Sequence, residues 1–405
     1  MKIILSNKLN YPKGGDCVYT RELEKLLVQN GHNVAVFSMD HPSNIESKYD
    51  KYFPSEVDYQ NKSISNRVKQ VSRMLNSKEV QSKFNLLIGE FKPDLLHVNN
   101  IHSQLSPIIV KLAHDKKIPT VWTLHDYKLL CPRYDCLLNG KPCELCFDSK
   151  INVIKNKCMK GSMSASVLAY AEALKWNKTD LETYTNAFIC PSNFLKRKMV
   201  QGGFLEEKLH HLCNFINVEK TIHNDYSKKD YFCYVGRLSN EKGLPTLLEA
   251  FSKTNFKLKV IGSGPLESEL KTLYKNENIE FVGRQTWENV KSLVSKAKFM
   301  ILPSEWYENN PLSVIESLCL GTPVLGANIG GIPELINETK NGFLFESGNL
   351  EDLILKINMI ENLPTTYFNY KKIANDSRER FSSKKYYDKL IEFYKNQIKI
   401  KLITK

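Results

Sequence analysis

Residues 299–325, FMILPSEWYENNPLSVIESLCLGTPVL, contain the pattern that decides the fold. They begin with the apolar run Phe299–Leu302, pass through a polar loop into the helical pattern Pro311–Leu320, and return to an apolar run at Pro323–Leu325. A strand, a helix and a second strand of these lengths predict a right-handed βαβ unit in a parallel sheet. The strands are apolar throughout, which is typical of strands covered on both faces.

The same alternation extends along the chain on both sides of this stretch. We therefore expect two doubly wound, Rossmann-like α/β domains that face each other across a cleft, with boundaries at 1–200 and 201–381 and a C-terminal helix, 382–405, that crosses back to the N-terminal domain. The other predicted strands are Lys2–Ser6, Asn33–Ser38, Leu95–Val98, Pro119–Leu124, Ala187–Cys190, Tyr231–Val235, Lys257–Ile261 and Ile279–Val282. The other predicted helices are Asp16–Asn30, Ser162–Tyr184, Gly243–Lys253, Pro265–Lys275 and Trp287–Lys296.

Composition excludes several classes of protein. The 405 residues are 42% hydrophobic and 25% charged, which excludes a disordered, collagen-like or coiled-coil chain. The apolar run at the start is too short for a signal peptide, and no run is long enough to span a membrane, so we expect a cytoplasmic protein with reduced cysteines. The net charge of +13 allows nucleic acid, an acidic membrane surface or phosphorylated ligands as partners.

The strongest local motif is 308–316, ENNPLSVIE, which follows the strand Phe299–Leu302. Pro311 suits the first helical position and Asn310 suits the N-cap, so the free N–H groups of Leu312 and Ser313 would suit an anion or a sugar hydroxyl. The two carboxylates, Glu308 and Glu316, can accept hydrogen bonds from paired hydroxyl groups. Two isolated glutamates would more simply be solvated surface acids.

The flanking sequence favours the functional interpretation. Pro303-Ser304 precedes the motif, and GTPVL at 321–325 and GGIPE at 330–334 follow it. The whole stretch resembles the family-4 retaining glycosyltransferases, in which two glutamates separated by seven residues mark the donor-sugar site. The resemblance implies the GT-B fold. The chain departs from the family pattern at Asn309-Asn310-Pro311, where Gly-Phe-Pro is commoner.

The resemblance covers nearly the whole chain and assigns further site residues. The sequence YVGRLSNEKG at 234–243 is similar to the family's diphosphate loop, in which Arg237 and Lys242 would bind phosphate oxygens. The resemblance places His125 beside the donor sugar, and we place the nucleobase near Arg284. The expected catalytic residues are His125, Glu308, Arg237 and Lys242, and the expected donor-binding residues are Gly14, Gly15, Gly236, Arg284, Asn309, Asn310, Leu312, Ser313 and Glu316.

The implied reaction is retaining transfer of a sugar from a UDP- or GDP-sugar donor to a saccharide. The acceptor is expected to be polyprenyl-linked, in capsule, O-antigen or exopolysaccharide assembly. The sequence has no Asp-x-Asp pair, so we expect Arg237, Lys242 and the helix dipole, rather than a catalytic metal, to neutralise the leaving diphosphate. The basic charge and the Lys-rich 43–78 segment fit peripheral binding to the anionic inner face of the plasma membrane. They also fit a solvated basic surface.

A cysteine-rich insertion, 131–160, follows His125. Cys143 and Cys146 form a C-x2-C knuckle, with Cys131 upstream and Cys158 downstream. One interpretation is a structural zinc on these four thiols with Cys136 spare, and the alternative of equal weight is five reduced thiols. A disulfide ranks third in a reducing compartment.

Three alternatives to the transferase remain. A basic nucleic-acid-binding protein would fit the charge and the knuckle, but the basic residues are spread and no stacking aromatic motif accompanies them. A non-catalytic nucleotide-sugar-binding protein would share the site, although none of its expected residues is missing. A sugar-nucleotide epimerase would share the two domains but not the glutamate pair. We therefore expect no nucleic acid partner.

Overall fold

The computed structural model describes the backbone of residues 1–59, 61 and 63–403 and the side chains of those residues up to 399. Its strands are β1 Lys2–Ser6, β2 Asn33–Phe37, β3 Leu95–Val98, β4 Thr120–Thr123, β5 Leu137–Leu138, β6 Lys141–Pro142, β7 Ala187–Cys190, β8 Leu209–His211, β9 Phe232–Val235, β10 Leu258–Ile261, β11 Ile279–Gly283, β12 Phe299–Leu302, β13 Val324–Ala327 and β14 Gly342–Phe345. Its α-helices are α1 Gly15–Gln29, α2 Ile64–Leu75, α3 Lys78–Phe91, α4 Ile108–Asp115, α5 Leu145–Asp148, α6 Asn152–Lys155, α7 Met163–Lys175, α8 Lys178–Tyr184, α9 Asn193–Gln201, α10 Leu244–Ser252, α11 Glu267–Leu273, α12 Trp287–Lys296, α13 Leu312–Cys319, α14 Leu350–Glu361, α15 Tyr370–Arg380 and α16 Ser383–Ile403.

The chain divides into two compact units, each built on a parallel six-stranded sheet. The first unit contains residues 1–136, 143–213 and 386–405, and the second contains 137–142 and 214–385. The main boundary therefore falls after Cys213 rather than at the predicted 200/201, because β8 pairs with β7 at the edge of the first sheet. Residues 404–405 of the predicted C-terminal helix lie outside the described residues.

The two sheets confirm the predicted doubly wound α/β class. Their strand orders are β2-β1-β3-β4-β7-β8 and β11-β10-β9-β12-β13-β14, with parallel pairing throughout. In each sheet the strand order reverses direction at one point, between β1 and β3 in the first and between β9 and β12 in the second. Ligands of such sheets bind outside the carboxyl ends of the strands at that point, so the loops there are the places to look for chemistry.

The predicted helix 162–184 is two helices, divided near Trp176 by a long-range hydrogen bond and a new N-cap. The ring N–H of Trp176 donates to the carbonyl of Met74 at 2.8 Å, which fixes the chain where α7 ends. The side chain of Asn177 then accepts from the N–H of Asp180 and caps a new helix, α8. This break matters because α7 and α8 line a cavity described below.

The C-terminal helix α16 packs within the first unit through tyrosines. The hydroxyl of Tyr386 hydrogen-bonds to that of Tyr19 on α1, and the hydroxyl of Tyr394 bonds to Nδ1 of His97 on β3. His97 is fully buried, and its second nitrogen bonds to the hydroxyl of Thr123 at 2.8 Å. The helix therefore supplies a hydrogen-bond partner that a buried strand residue would otherwise lack.

Candidate active site

Glu308 lies at the switch point of the second sheet, in the loop that follows β12. It is only 5% exposed, and its Oε1 accepts hydrogen bonds from Nζ of Lys242 at 2.6 Å and from the hydroxyl of Ser304 at 2.7 Å. Burial alone would raise the pKa of this carboxyl, but the Lys242 charge and these two bonds bring the pKa below its ordinary value. Glu308 is therefore an ionised, fixed acceptor rather than a solvated loop acid.

Glycines make the close packing of this loop possible. Gly330 has a left-handed φ of +63°, and a Cβ there would lie 2.3 Å from the carbonyl oxygen of Glu308. The N–H of Gly331 donates to that same carbonyl at 2.7 Å. On the other side, a Cβ on Gly243 would lie 1.9 Å from the carbonyl oxygen of Pro303. The segments that contain Gly243 and Gly330 thus pack against the backbone on both sides of Glu308. A residue with a Cβ at either position would clash with that backbone.

The loop after β9 carries the two predicted cations, and they have different surroundings. Arg237 is exposed and forms no ion pair within the described part of the chain. Its carbonyl accepts from the hydroxyl of Tyr234 at 2.8 Å, and a Cβ on Gly236 would lie 2.6 Å from that hydroxyl. Lys242, in contrast, is paired with Glu308 and lies 5.1 Å from the ring centre of Trp306. Of these two cations, only Arg237 has no carboxylate partner among the described residues.

Helix α13 begins one residue later than predicted, which changes the role of Asn310. Its N-cap position is Pro311, and the buried side chain of Asn310 accepts from the N–H of Asn214 at 3.0 Å. The N-cap prediction for Asn310 is therefore wrong, because its amide serves to fix the chain at Asn214. The N–H groups of Val314 and Ile315 bond to Pro311, whereas those of Leu312 and Ser313 have no partner in the described structure, as expected for a helix start.

Glu316 is a carboxyl whose pKa is strongly raised in the second unit. It lies on α13, partly buried, and burial raises its pKa to about 7 against a smaller opposing effect of the Lys220 charge. A carboxyl with a pKa near neutral pH is only partly ionised there. A ligand that donates hydrogen bonds to the carboxylate would favour the ionised form. Asn309 lies in the same loop, and Arg284 is exposed at the end of β11, the edge strand.

His125 lies at the corresponding edge of the first sheet, after β4. Its Nε2 donates to Oδ1 of Asn99 at 2.9 Å, since an amide oxygen can only accept, and this leaves Nδ1 of the neutral ring without a proton. Burial lowers the pKa of His125 to about 4, although the Asp16 charge opposes the shift. The imidazole is therefore neutral at physiological pH.

Sequence reasoning missed two partners of His125. Asp16 lies in the first turn of α1, directly after the exposed Gly14-Gly15 turn, and its carboxylate accepts from the side chain of Asn100 at 3.2 Å. Burial would raise the pKa of Asp16, but the charge of Lys8 and the bond from Asn100 help to lower it below its ordinary value. Asn99 and Asn100 follow β3, and polar residues at a strand end were the signal that could have identified them.

The cysteines of the insertion contact one another differently from the predicted set. Cys131 accepts hydrogen bonds from the thiols of Cys136 and Cys146, which lowers the pKa of Cys131 and raises those of its two partners. Cys136, predicted as spare, thus belongs to the contact, and neither Cys143 nor Cys158 bonds to Cys131. Among the described residues no group of three or more His, Cys, Asp or Glu side chains is arranged to hold a metal ion. Zinc on Cys131, Cys143, Cys146 and Cys158 stays a prediction that metal analysis of the purified protein would test.

Family models match almost the entire chain. Residues 13–220 match glycosyltransferase family 4, and residues 216–380 match the glycosyl transferases group 1. The chain belongs to glycosyltransferase family 4. This family-4 glycosyltransferase is 25% identical over 363 residues to a Klebsiella pneumoniae protein named "Uncharacterized 42.6 kDa protein in cps region", with 85% of this chain and 90% of that one covered. It is 32% identical over 133 residues to the amylovoran biosynthesis glycosyltransferase AmsK of Erwinia amylovora, covering 29% of this chain and 33% of that one.

Solved structures support the same fold. The Anabaena protein HepE, crystallised with UDP, superposes with a TM-score of 0.67 at 16% identity, covering 98% of this chain and all of that one. At this identity the likeness establishes the GT-B fold alone. The chain is thus a GT-B glycosyltransferase with relatives in capsule and exopolysaccharide biosynthesis. No helix of the described residues is long and apolar enough to cross a membrane.

Proposed function

We propose that this glycosyltransferase transfers a sugar from a UDP- or GDP-sugar to a saccharide acceptor, with retention of anomeric configuration and without a catalytic metal. The observation that carries the donor side is the switch point of the second sheet, where the Glu308–Lys242 pair, the free N–H groups of α13 and Glu316 occur together. Such a site offers acceptors for sugar hydroxyls and donors for phosphate oxygens. The structure of HepE with UDP, a protein of the same fold, supports a nucleotide donor.

Each group of this site has a distinct proposed task. Glu308 accepts a hydrogen bond from a hydroxyl group of the transferred sugar, because its carboxylate is ionised and held in place. Arg237 and the N–H groups of Leu312 and Ser313 stabilise the departing diphosphate, since they carry unshared donors. Glu316 accepts hydrogen bonds from the two hydroxyl groups of the ribose diol, and these bonds favour its ionised form. The roles of His125 and Arg284 stay predictions from the family resemblance.

Calorimetric titration with UDP and GDP, with EDTA present and no added metal, tests the donor side. One nucleotide should bind selectively, and Glu316→Ala should weaken it by about 1.5–3 kcal/mol, the value of hydrogen bonds to a charged group. The matched control is Glu351→Ala, an exposed glutamate on α14 of the same unit, which should leave the affinity unchanged. If neither nucleotide binds to the folded protein with or without magnesium, the transferase proposal fails.

Retention is tested separately with the nucleotide sugar of the selected base. Early time points of its turnover, followed by proton NMR, should show the transferred or released sugar with the anomeric configuration of the donor. Inversion would contradict the retaining mechanism and leave the donor assignment intact.

The proposed acceptor is a lipid-linked saccharide of surface polysaccharide assembly, and an apolar surface on the first unit supports it. Helix α2 exposes Ile64, Val68 and Val71 by 83%, 64% and 42%, at the spacing of one helical face. Helix α7 packs against α2 and exposes Met163, Val167 and Leu174. Neither helix exposes an acidic residue, and Arg67 is exposed beside the apolar stripe. Apolar and basic side chains together suit the interface of an anionic membrane.

Vesicle sedimentation tests this surface. The protein should sediment with phosphatidylglycerol-containing vesicles and not with phosphatidylcholine vesicles. The double variant Ile64→Ser/Val68→Ser should lose most of the binding, whereas Leu86→Ser, an equally conspicuous exposed leucine on α3, should retain it. Equal loss in both variants would contradict a membrane-binding role for the α2–α7 surface.

A further inference from the structure

A cavity of about 230 Å³ opens in the first unit, between α7, α8 and the cysteine-rich insertion. It is smaller than the roughly 300–1,000 Å³ typical of pockets for drug-sized ligands, so its size suits one sugar ring rather than an oligosaccharide. Two of its wall residues, His102 and Lys128, follow β3 and β4, the strands whose ends carry Asn99 and His125. The cavity therefore lies at the same edge of the first sheet as His125.

The cavity contains a buried carboxylate whose oxygens lack hydrogen-bond partners. Glu172, on α7, is 2% exposed, and neither Oε1 nor Oε2 has a hydrogen-bond partner among the described residues. Nζ of Lys128 lies 2.8 Å from Oε2 and balances the charge of the carboxylate, but the pair lacks the geometry of a hydrogen bond, and Oε1 has no cation beside it. A buried acceptor without a donor is costly, and a hydroxyl group entering the cavity would satisfy it.

The other polar groups on the wall are fixed by the surrounding backbone. Lys128 donates to the carbonyl of Pro132 at 2.7 Å, and Lys150 donates to the carbonyls of Leu130 and Cys146. Each ammonium group has three donors, so at least one remains on each lysine for a ligand. Nδ1 of His102 is buried and has no partner in the described structure, and its ring stacks on Trp122 with 5.5 Å between ring centres.

Apart from Lys178, which donates to the carbonyl of Gly203 at 2.6 Å, the remaining wall is apolar and includes three aromatic rings. Trp176, Phe147 and Phe204 line the cavity, and the Trp176 ring is held by its bond to Met74. Rigid apolar walls with a few convergent polar groups are typical of small-molecule sites. The Glu172 carboxylate can accept hydrogen bonds, and Lys128 and Lys150 have donors to spare. This combination suits a polyol, whose hydroxyl groups both donate and accept. It suits an anion less well, because Glu172 would repel it.

We propose that this cavity binds one neutral sugar ring of the acceptor, with a hydroxyl donating to Oε1 of Glu172 and other hydroxyls accepting from Lys128 and Lys150. The proposal deepens, and rests on, the proposed function of the protein as a glycosyltransferase. The insertion forms part of the wall through Pro132, Phe147 and Lys150, so its sequence would contribute to the choice of acceptor.

Saturation-transfer NMR with a panel of methyl glycosides tests the proposal on the full-length protein. The panel consists of the methyl glycosides of glucose, galactose, mannose, N-acetylglucosamine and rhamnose. At least one should give a signal, and Ala173→Leu, which fills the cavity, should weaken its binding at least tenfold. The matched control is Ala171→Leu on the same helix, whose side chain does not line the cavity. It should bind as the unchanged protein does.

Two further variants distinguish a failure of the cavity proposal from a failure of the donor-site proposal. Glu172→Gln should weaken glycoside binding about five- to tenfold while circular dichroism shows an intact fold. Glu316→Gln, in the second unit, should leave glycoside binding unchanged even if nucleotide binding is lost, so failure of the donor proposal is recognisable on its own. The absence of any glycoside signal, displacement of the glycoside by inorganic phosphate, or equal effects of Ala173→Leu and Ala171→Leu would each overturn the proposal.

Discussion

The two carboxylates Glu308 and Glu172 are both almost fully buried, yet their surroundings differ. Glu308 accepts two short hydrogen bonds at Oε1, and the backbone around it is held by glycines that leave no room to move. Glu172 has a lysine beside one oxygen and nothing on the other. The hydrogen bonds of the first carboxylate are in place without a ligand, whereas the proposed sugar would supply those that the second lacks. Glu308 is preorganised by its hydrogen bonds, whereas Glu172 lacks them. This difference indicates that the two carboxylates have different tasks.

The largest effect is expected from Glu308→Gln. An amide cannot replace the ionised acceptor, so turnover of the nucleotide sugar should fall about 10²–10³-fold, the range for loss of one preorganised electrostatic contact. Nucleotide affinity should change little. Glu305→Gln, in the same loop and bonded to Thr246, is the control and should keep most of the activity. Equal losses would place the effect in the loop rather than in the Glu308 carboxylate.

Rigidity around Glu308 is tested by Gly330→Ala against Gly283→Ala. Both glycines have left-handed φ angles, +63° and +76°, so both variants carry about 1–2 kcal/mol of strain. Only Gly330 also meets the Glu308 carbonyl, whereas a Cβ on Gly283 meets nothing within 4 Å. The free energy of unfolding in urea should therefore fall clearly further for Gly330→Ala. Similar values for the two variants would show that the loop adjusts.

The Glu316 carboxyl predicts a pH dependence of nucleotide binding. Its pKa of about 7 means that the ionised acceptor becomes common only as pH rises through neutrality. Nucleotide affinity should therefore strengthen about tenfold between pH 6 and pH 8. Calorimetry at several pH values should show this rise in the unchanged protein and its absence in Glu316→Gln.

The same carboxyl should affect stability in the opposite direction. A folded-state pKa above the unfolded value of about 4.3 favours the protonated folded protein, so this contribution is lost as pH rises from about 4 to 7. Glu316→Gln should therefore raise the melting temperature at pH 8 and leave it almost unchanged at pH 4. A variant less stable at pH 8 would contradict the burial of an uncompensated charge.

The smallest signal is expected from His125. With a pKa of about 4, its ring should not titrate between pH 6 and pH 8, and the imidazole C–H resonances assigned with His125→Gln should keep constant shifts there. Because the unfolded pKa is about 6.5, stability from the neutral ring is complete above that value and is lost as pH falls towards 4. A titration near pH 6.5 would show that His125 is solvated.

The sequence predicted most strands to within a residue or two, because buried parallel strands are continuous apolar runs. It missed four strands: the edge strands β8 and β14, and the two-residue strands β5 and β6 of the insertion. β5, β6 and β8 have only two or three residues, too few for an apolar run to be distinctive. The motif 308–316 marked the expected donor side, and that role stays a prediction. The bonding of Glu308 within it depends on Lys242, a residue from another strand end. The cavity around Glu172 joins α7, α8 and the insertion, and no local pattern indicates that these segments meet.

The position of α16 determines the order in which the units can mature during synthesis. Tyr386 and Tyr394 complete hydrogen bonds of Tyr19 and His97, yet they are translated after the whole second unit. A nascent chain on the ribosome can close its second sheet first, while His97 in the first sheet still lacks one of its partners. Domains usually fold from the N-terminus as they emerge, but the first unit of this chain includes a segment made after the second. The first unit therefore lacks these two hydrogen bonds until residues 386–394 have been made.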